Sequence, residues 1–235
     1  MLTWTTYVNS IANLMPVAST VNINFTTVVP NMIDDAEQRL YRELDLLNTV
    51  VQATTSLVTG TRTVALPSTA GTFEVVNEVY AITPATQTVP DLGTRNPLTL
   101  VSRPFLDFTY PSSNGSTLPA YFAMTTQSTI ILGPWPDQAY TLEVSGTIRP
   151  LALSSSNVTS LLSVYFPDCF VAASMVFISG YMKNYGAAVD DPQQGVSWEM
   201  HLQKLLVSAQ TEEARKKFTS QAWSSKQPTQ LVQRD

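Results

Sequence analysis

Apolar positions recur every three or four residues near the two ends of the chain and alternate in short bursts through the middle. Near the start, Trp4, Val8, Ile11 and Met15 mark one helical face, with Thr3 placed to cap it and Pro16 to stop it. A loop is expected through Asn22 to Thr27. Pro30 then suits a first helical position. Ile33, Ala36, Leu40, Leu44 and Leu47 follow as a single apolar stripe. Asp34, Asp35 and Glu37 would occupy the early turns, where the positive helix end favours acids. Asp35 and Arg39 stand four apart, the spacing of a stabilising pair.

From Val50 the pattern changes to strands. Val50 to Val58 and Thr61 to Leu66 flank Thr59-Gly60, a hairpin signal weaker than Asn-Gly. Phe73 to Ile82 is an apolar run of strand length, and Pro84 to Pro97 reads as a loop. Leu98 to Val101, Tyr121 to Met124 and Thr129 to Leu132 are short strand candidates. Gly133-Pro134-Trp135-Pro136-Asp137 forces a turn. Tyr140, Leu142 and Val144 alternate with polar positions, which predicts a half-buried strand reaching Ile148. Short strands with frequent turn signals predict a sandwich or barrel-like sheet.

After the serine-rich linker Ser154-Ser155-Ser156, Pro167 can start a helix that is apolar on nearly all faces through Tyr181, a pattern that means burial on more than one side. Gly186 would stop it, and Asp191-Pro192 would open a second helix through Trp198, Leu202, Leu205 and Ala209 to about Ala222. Ser224 to Asp235 is polar and glutamine-rich and supplies no core. The fold class is therefore α+β, in segments 1–49 (helical), 50–153 (β-rich), 154–223 (helical) and 224–235 (extended tail).

Composition narrows the function. Charged residues are 13% of 235, about half the usual share. Thirty threonines and twenty-two serines make the polar surface largely hydroxyl. No lysine precedes Lys183, and Val50 to Thr159 holds six acids and four arginines in 110 residues. A net charge of −5 and a pI near 4.8 exclude a basic nucleic-acid reader. With Cys169 the one cysteine and His201 the one histidine, an intrachain disulfide, a Cys/His zinc site and an HExxH helix are excluded. Met1-Leu2-Thr3-Trp4-Thr5 has no basic region leading into an apolar stretch, so no signal peptide is expected. The apolar run Cys169 to Ile178 is too short to span a bilayer. The expectation is a soluble protein of a reducing compartment with no membrane partner.

Little catalytic chemistry is legible. A triad would need His201, which lies between Trp198 and Leu205 without a nucleophile-elbow pattern, so it reads as a packed or surface histidine. Cys169 reads as a buried inert thiol. Asp34, Asp35 and Glu37 point in different directions on a helix, which disfavours a metal or acid/base cluster. No glycine falls in a phosphate-loop spacing. Arg215-Lys216-Lys217 fits a solvated helix face, or contact with nucleic acid or an acidic partner. Asn157-Val158-Thr159 matches the glycosylation triplet in form only. No catalytic, cofactor or metal residue is assigned, and no cofactor. The charge-poor, hydroxyl-rich middle suits packing against other subunits, with Trp135 and Tyr140 readable equally as interface anchors or as core.

The order of motifs resembles one family. It runs from Ile33-Asp-Asp-Ala-Glu-Gln-Arg-Leu-Tyr-Arg-Glu-Leu44 through Gly60-Thr-Arg-Thr-Val-Ala-Leu-Pro67 and Leu118-Pro-Ala-Tyr-Phe-Ala123. Ile131-Leu-Gly-Pro-Trp-Pro-Asp-Gln-Ala-Tyr-Thr-Leu-Glu-Val144 and Phe166-Pro-Asp before two helices complete it. It is similar over nearly the whole chain to the head-to-tail adaptors of tailed bacteriophages, the gatekeeper-type connector ring beneath the portal. The resemblance implies a helical bundle of the N- and C-terminal helices with an inserted antiparallel β-sandwich or barrel-like domain. It implies a homo-oligomeric ring, usually of twelve copies, in the virion neck, assembled in the host cytoplasm. Portal contact would fall near Glu212, Arg215, Lys216, Lys217, Phe218, Trp223, Lys226, Leu231 and Arg234. Tail-side or inter-subunit contact would involve Arg95, Arg103, Tyr110 and Trp135, the partner being a tail nozzle or next neck protein. Double-stranded DNA would pass through the channel without sequence-specific binding. The expected loop from Pro84 to Pro97 departs from the family pattern.

Other readings are a tail-terminator ring, a minor fibre component, or a carbohydrate-binding or cell-wall-degrading module. Helical ends disfavour a fibre. A hydrolase would need paired carboxylates, and nothing in the sequence pairs Glu74, Glu78, Asp107 and Glu143.

Overall fold

In the computed structural model, residues 2–14, 23–181 and 193–220 are described, with side chains omitted at 23, 24, 180, 181 and 218–220. Met15, Pro16, Gly186, Asp191, Pro192, Ala222 and the segment 224–235 lie outside the described residues. Two compact units emerge: Met1–Thr6 with Asn48–Tyr165, and Tyr7–Leu47 with Phe166–Asp235. Helices and antiparallel or mixed sheets together make an α+β protein.

Helix α1 spans Trp4–Leu14. Thr3 caps it, accepting from the Thr6 N–H at 3.4 Å while its own N–H donates to Thr6 Oγ1 at 2.8 Å. Tyr7 and Ile11 are the buried pair, with Trp4 and Val8 half-buried beside them. Helix α2 spans Ile23–Glu43, with Pro30 inside it. This corrects both the loop expected up to Thr27 and the helix start expected at Pro30. A proline inside a helix costs about 3 kcal/mol. The apolar stripe, however, continues upstream through Phe25 and Val29, 1% and 2% exposed. Burying each is worth roughly 1.5–3 kcal/mol, enough to carry the helix across the proline. Asp34 and Asp35 therefore sit mid-helix in solvent, not at the positive end, and Glu37 is buried. Arg39 turns away from Asp35 to Glu43 and Glu199.

In the first unit, β1 (Val50–Ser56), β2 (Thr63–Ala65), β3 (Gly71–Thr83), β4 (Thr94–Pro97) and β5 (Thr99–Leu100) precede helix α3 (Arg103–Thr109). β6 (Tyr121–Thr126), β7 (Thr129–Gly133), β8 (Thr141–Pro150) and helix α4 (Leu161–Tyr165) follow. One sheet has the order β1-β8-β3-β4, all antiparallel; the other is β2-β7-β6-β5, with β5 parallel to β6. Neither closes into a barrel. Leu57, Phe73, Val79, Leu142 and Val144 from the first sheet and its margins share one buried cluster with Val64, Phe122, Ile130 and Leu132 from the second.

The expected hairpin at Thr59-Gly60 does not form. β1 pairs with β8, and β2 pairs with β7. The turn closes through Thr61 N–H to Val58 O at 3.0 Å, with Gly60 at φ +71° and, among the described residues, no non-glycine at positive φ. Positive φ at the third turn position alone is not the primed geometry that matches hairpin twist. The chain is passed instead from one sheet to the other.

β8 is not half-buried. As one of the two central strands of its sheet it buries Thr141 and Glu143 along with Leu142 and Val144. Gln87 O accepts from Thr141 Oγ1 at 2.9 Å, and Arg95 binds Glu143. The segment expected as a pure loop thus contributes β4 and covers that face. α3 and α4 were not expected either. Ser102 before Arg103-Pro104, and Ser160 three residues before Ser163, are their caps.

In the second unit, α5 (Pro167–Tyr181) packs against both α2 and α6 (Gln194–Ser220). That placement explains its all-round apolar character: Phe170, Ala173, Ser174 and Met175 are at zero exposure. Tyr7 stacks on Phe170 at 4.4 Å and its hydroxyl meets Ser174 Oγ at 2.5 Å, so these two buried hydroxyls satisfy each other. α6 buries Leu202, Leu206, Ala209 and Glu213.

Candidate functional site

Five of the nine expected portal residues, Glu212, Arg215, Lys216, Lys217 and Phe218, fall on the last turns of α6. Lys216 Nζ lies 2.7 Å from both Glu212 Oε1 and Glu213 Oε1, and 5.2 Å from the Phe166 ring centroid. These carboxylates hold its pKa above the ordinary lysine value. Glu213 is 5% exposed, and its other oxygen accepts the Leu47 N–H at 2.8 Å. Lys217 pairs with Asp45. A groove of about 280 Å³ runs beside them, lined by Glu43, Leu44, Asp45, Gln210, Glu213 and Lys217. Arg215 and Glu212 are exposed. Lys216 and Lys217 are thus engaged within their own unit. Phe218 lies on α6, its side chain outside the described residues; so, wholly, are Trp223, Lys226, Leu231 and Arg234.

The β unit brings three of the four other candidates together around α3. The Trp135 indole N–H donates to Tyr110 O at 3.3 Å, and Arg62 stacks 5.5 Å over the same ring. Arg62 also binds Asp107 at 2.6 Å, which faces Arg103 at 3.5 Å. Arg95 is elsewhere, bound to Glu143 at 2.7 Å and Asp91 at 2.7 Å. These carboxylates raise its pKa. Tyr140 proves to be core, 6% exposed, with its hydroxyl on Asp137 at 2.9 Å.

The chemically reactive residue types are poorly placed for catalysis. The Cys169 thiol is buried, and burial with neighbouring Asp168 pushes its pKa up to about 12. His201 is exposed on α6, edge-on to Trp198 at 5.9 Å. Among the described residues no three of His, Cys, Asp and Glu gather as a metal ion needs. Nor, among them, is any helix long and apolar enough to cross a membrane.

The SU10 adaptor protein family model matches residues 2–225. The chain belongs to the SU10 adaptor protein family. No curated protein matches it. The resemblance to phage head-to-tail adaptors is upheld over nearly the whole chain. The SU10 adaptor family is structural, not known for enzymes, and its members are components of the virion neck. Part-buried ion pairs join elements within each unit, and Phe105 and Phe108 are left exposed.

Sequence reading did not single out Arg62, Phe105 and Phe108, and it weighed Asp107 only as an unpaired carboxylate. The Ser102-Arg103-Pro104 start and the four-residue spacing of Arg103 and Asp107 were available signals for α3. Arg62 was not legible, because it reaches Asp107 only through the pairing of β2 with β7.

Proposed function

We propose that this adaptor assembles as a closed ring, of twelve copies as the family resemblance implies, between portal and tail. In that reading the terminal helices form a bundle carrying the β unit as a two-sheet sandwich. The end of α6 and the tail, Glu212 to Arg234, dock on the portal, and the β unit with Arg95, Arg103, Tyr110 and Trp135 meets the tail nozzle or a neighbour. DNA passes through the lumen. Twelve copies at −5 each carry about −60, which repels phosphate and lets duplex slide, the converse of counterion-releasing contact. The observation that carries this reading is the family match over residues 2–225.

Native mass measurement of the purified chain with and without portal tests it. Ring formation on the portal is expected, and a chain that stays monomeric with portal present refutes it. Truncation after Ser224 should weaken portal binding without unfolding the monomer. Undiminished affinity would remove the tail from the docking surface.

A further inference from the structure

Between α3 and β6 the chain loops out, and in that loop stands Asn114-Gly115, the one asparagine–glycine step of the sequence. Ser113, Asn114 and Gly115 are exposed, and Gly115 has φ +88°, a conformation that residues with a side chain rarely adopt. Apart from its chain neighbours, no described atom lies within 4 Å of where a Cβ on Gly115 would stand. Ser116 Oγ donates to Ser113 O at 2.7 Å. Among the described residues, neither the Asn114 side chain nor the Gly115 N–H has a hydrogen bond. Both ends of the loop are tied to Trp135. Tyr110 O accepts its indole N–H at 3.3 Å, and Thr117 N–H donates to its carbonyl at 2.9 Å.

An asparagine side-chain carbonyl carbon is an electrophile, and the nitrogen of the next peptide unit is the nucleophile nearest to it along the chain. The two combine most readily where that N–H is uncommitted and the following residue has no Cβ to obstruct the approach. Both conditions hold at Asn114-Gly115. They do not hold together at other asparagines of the fold. Asn9, Asn13 and Asn31 lie on helices, where the next N–H belongs to the helix ladder. Asn96 Nδ2 donates to Ala81 O and Thr83 Oγ1, each at 3.0 Å, and precedes Pro97, which has no N–H. The Asn157 amide donates to Leu151 O at 2.9 Å and Ala152 O at 3.0 Å, and the branched Val158 follows it.

We propose that Asn114 is a self-modification site, converting to aspartate and isoaspartate in water without an enzyme, the thermal weakness of asparagine concentrated at one position. The Gly115 nitrogen gives its proton to water or hydroxide and bonds to Asn114 Cγ. The Cγ–Nδ2 bond breaks, and ammonia leaves with a proton from solvent. Water then opens the resulting five-membered imide. Breaking the bond from Gly115 N to Cγ gives aspartate. Breaking the bond from Gly115 N to the Asn114 main-chain carbonyl carbon gives isoaspartate, in which the backbone runs through Cβ. In sum one water is consumed and one ammonia released, with no change of oxidation state. Each event adds one negative charge to a chain of net charge −5, in the loop that both ends tie to Trp135. Aged adaptor therefore differs in charge from fresh adaptor at this surface. The inference goes beyond the ring reading and does not depend on it.

Incubation of the full chain in mildly alkaline buffer, sampled over days and read by peptide mass spectrometry, tests this. The peptide holding residue 114 should gain the mass of an amide-to-acid exchange before any other asparagine peptide does. It should also split into two forms of equal mass, aspartate and isoaspartate. Raising the pH should speed the loss, because the attacking nitrogen must shed its proton. Hydroxylamine present during the incubation should capture the imide and cut the chain between Asn114 and Gly115. Asn114→Gln, whose extra methylene demands a six-membered ring, should suppress both the mass gain and the cut while leaving the circular dichroism spectrum unchanged. A native chain that keeps Asn114 intact while the same chain in guanidinium loses it would overturn the proposal. So would aspartate formed without isoaspartate, or earlier loss at another asparagine.

Discussion

Arg39 on α2 and Glu199 on α6 meet as a two-pronged fork, with Nη1 2.7 Å from Oε2 and Nη2 2.5 Å from Oε1. The contact joins helices 160 residues apart in sequence. Arg39 also reaches Glu43 at 2.8 Å, so one guanidinium organises two carboxylates. The guanidinium lowers the Glu199 pKa to about 2.

Replacing Glu199 with Gln should therefore cost about 1 kcal/mol at neutral pH, a figure kept small because both side chains are partly solvated. A carboxyl whose pKa is depressed on folding contributes stability above its unfolded value of about 4.3. That contribution is lost as pH falls toward the folded value near 2. Urea denaturation at pH 7 and near pH 2.5 checks it: the wild-type advantage should shrink across that interval, and an equal advantage at both pH values would contradict the assignment.

Glu213 is the more costly carboxylate to lose. It is buried, accepts the Leu47 N–H, and pairs with Lys216. Glu213→Ala leaves that N–H without its acceptor and should destabilise by about 2–3 kcal/mol. Glu213→Gln, which keeps an acceptor for the amide, should cost less. Denaturation midpoints of the two variants should separate in that order.

Gly146 on β8 has no room for a side chain. A Cβ there would sit 2.1 Å from Val75 O, beside the bulge in β3. Backbone on a central strand pair cannot withdraw cheaply, so Gly146→Ala should cost more than about 3 kcal/mol. Soluble yield and melting temperature are the measurements, and a near-wild-type melting point would show that β3 and β8 can part.

Cys169 should resist alkylation. Burial raises its pKa to about 12, so almost no thiolate exists at pH 8. Iodoacetamide should leave the native chain unmodified and label it fully in guanidinium. Rapid labelling of native protein would mean that α5 opens readily.

The helices were legible wherever one stripe of apolar residues runs uninterrupted. The stripe through Ile33, Ala36 and Leu40 and the all-round apolar pattern after Pro167 both appear where periodicity places them, because burial of a helical face depends on spacing within one segment. Most strands were legible for the same local reason. The candidate surface was legible in part: Trp135 reaches Tyr110 directly, but Arg103 joins them by way of Asp107 and Arg62, which lie on an unexpected helix and just before a distant strand.

Sequence by itself determined the α+β class, the order of the long helices and of most strands, the inert cysteine and the poverty of charge, since these follow from side-chain identity and short-range spacing. Tertiary structure alone decided that α2 runs through Pro30, where burying Phe25 and Val29 offsets a lost hydrogen bond. It also decided which strand receives β1. Thr59-Gly60 is compatible with either a hairpin or a crossing between sheets, and only the competition among distant partners, won by the buried central strand β8, resolves it. Long-range pairing is a property of the whole core, and no window of neighbouring residues contains it.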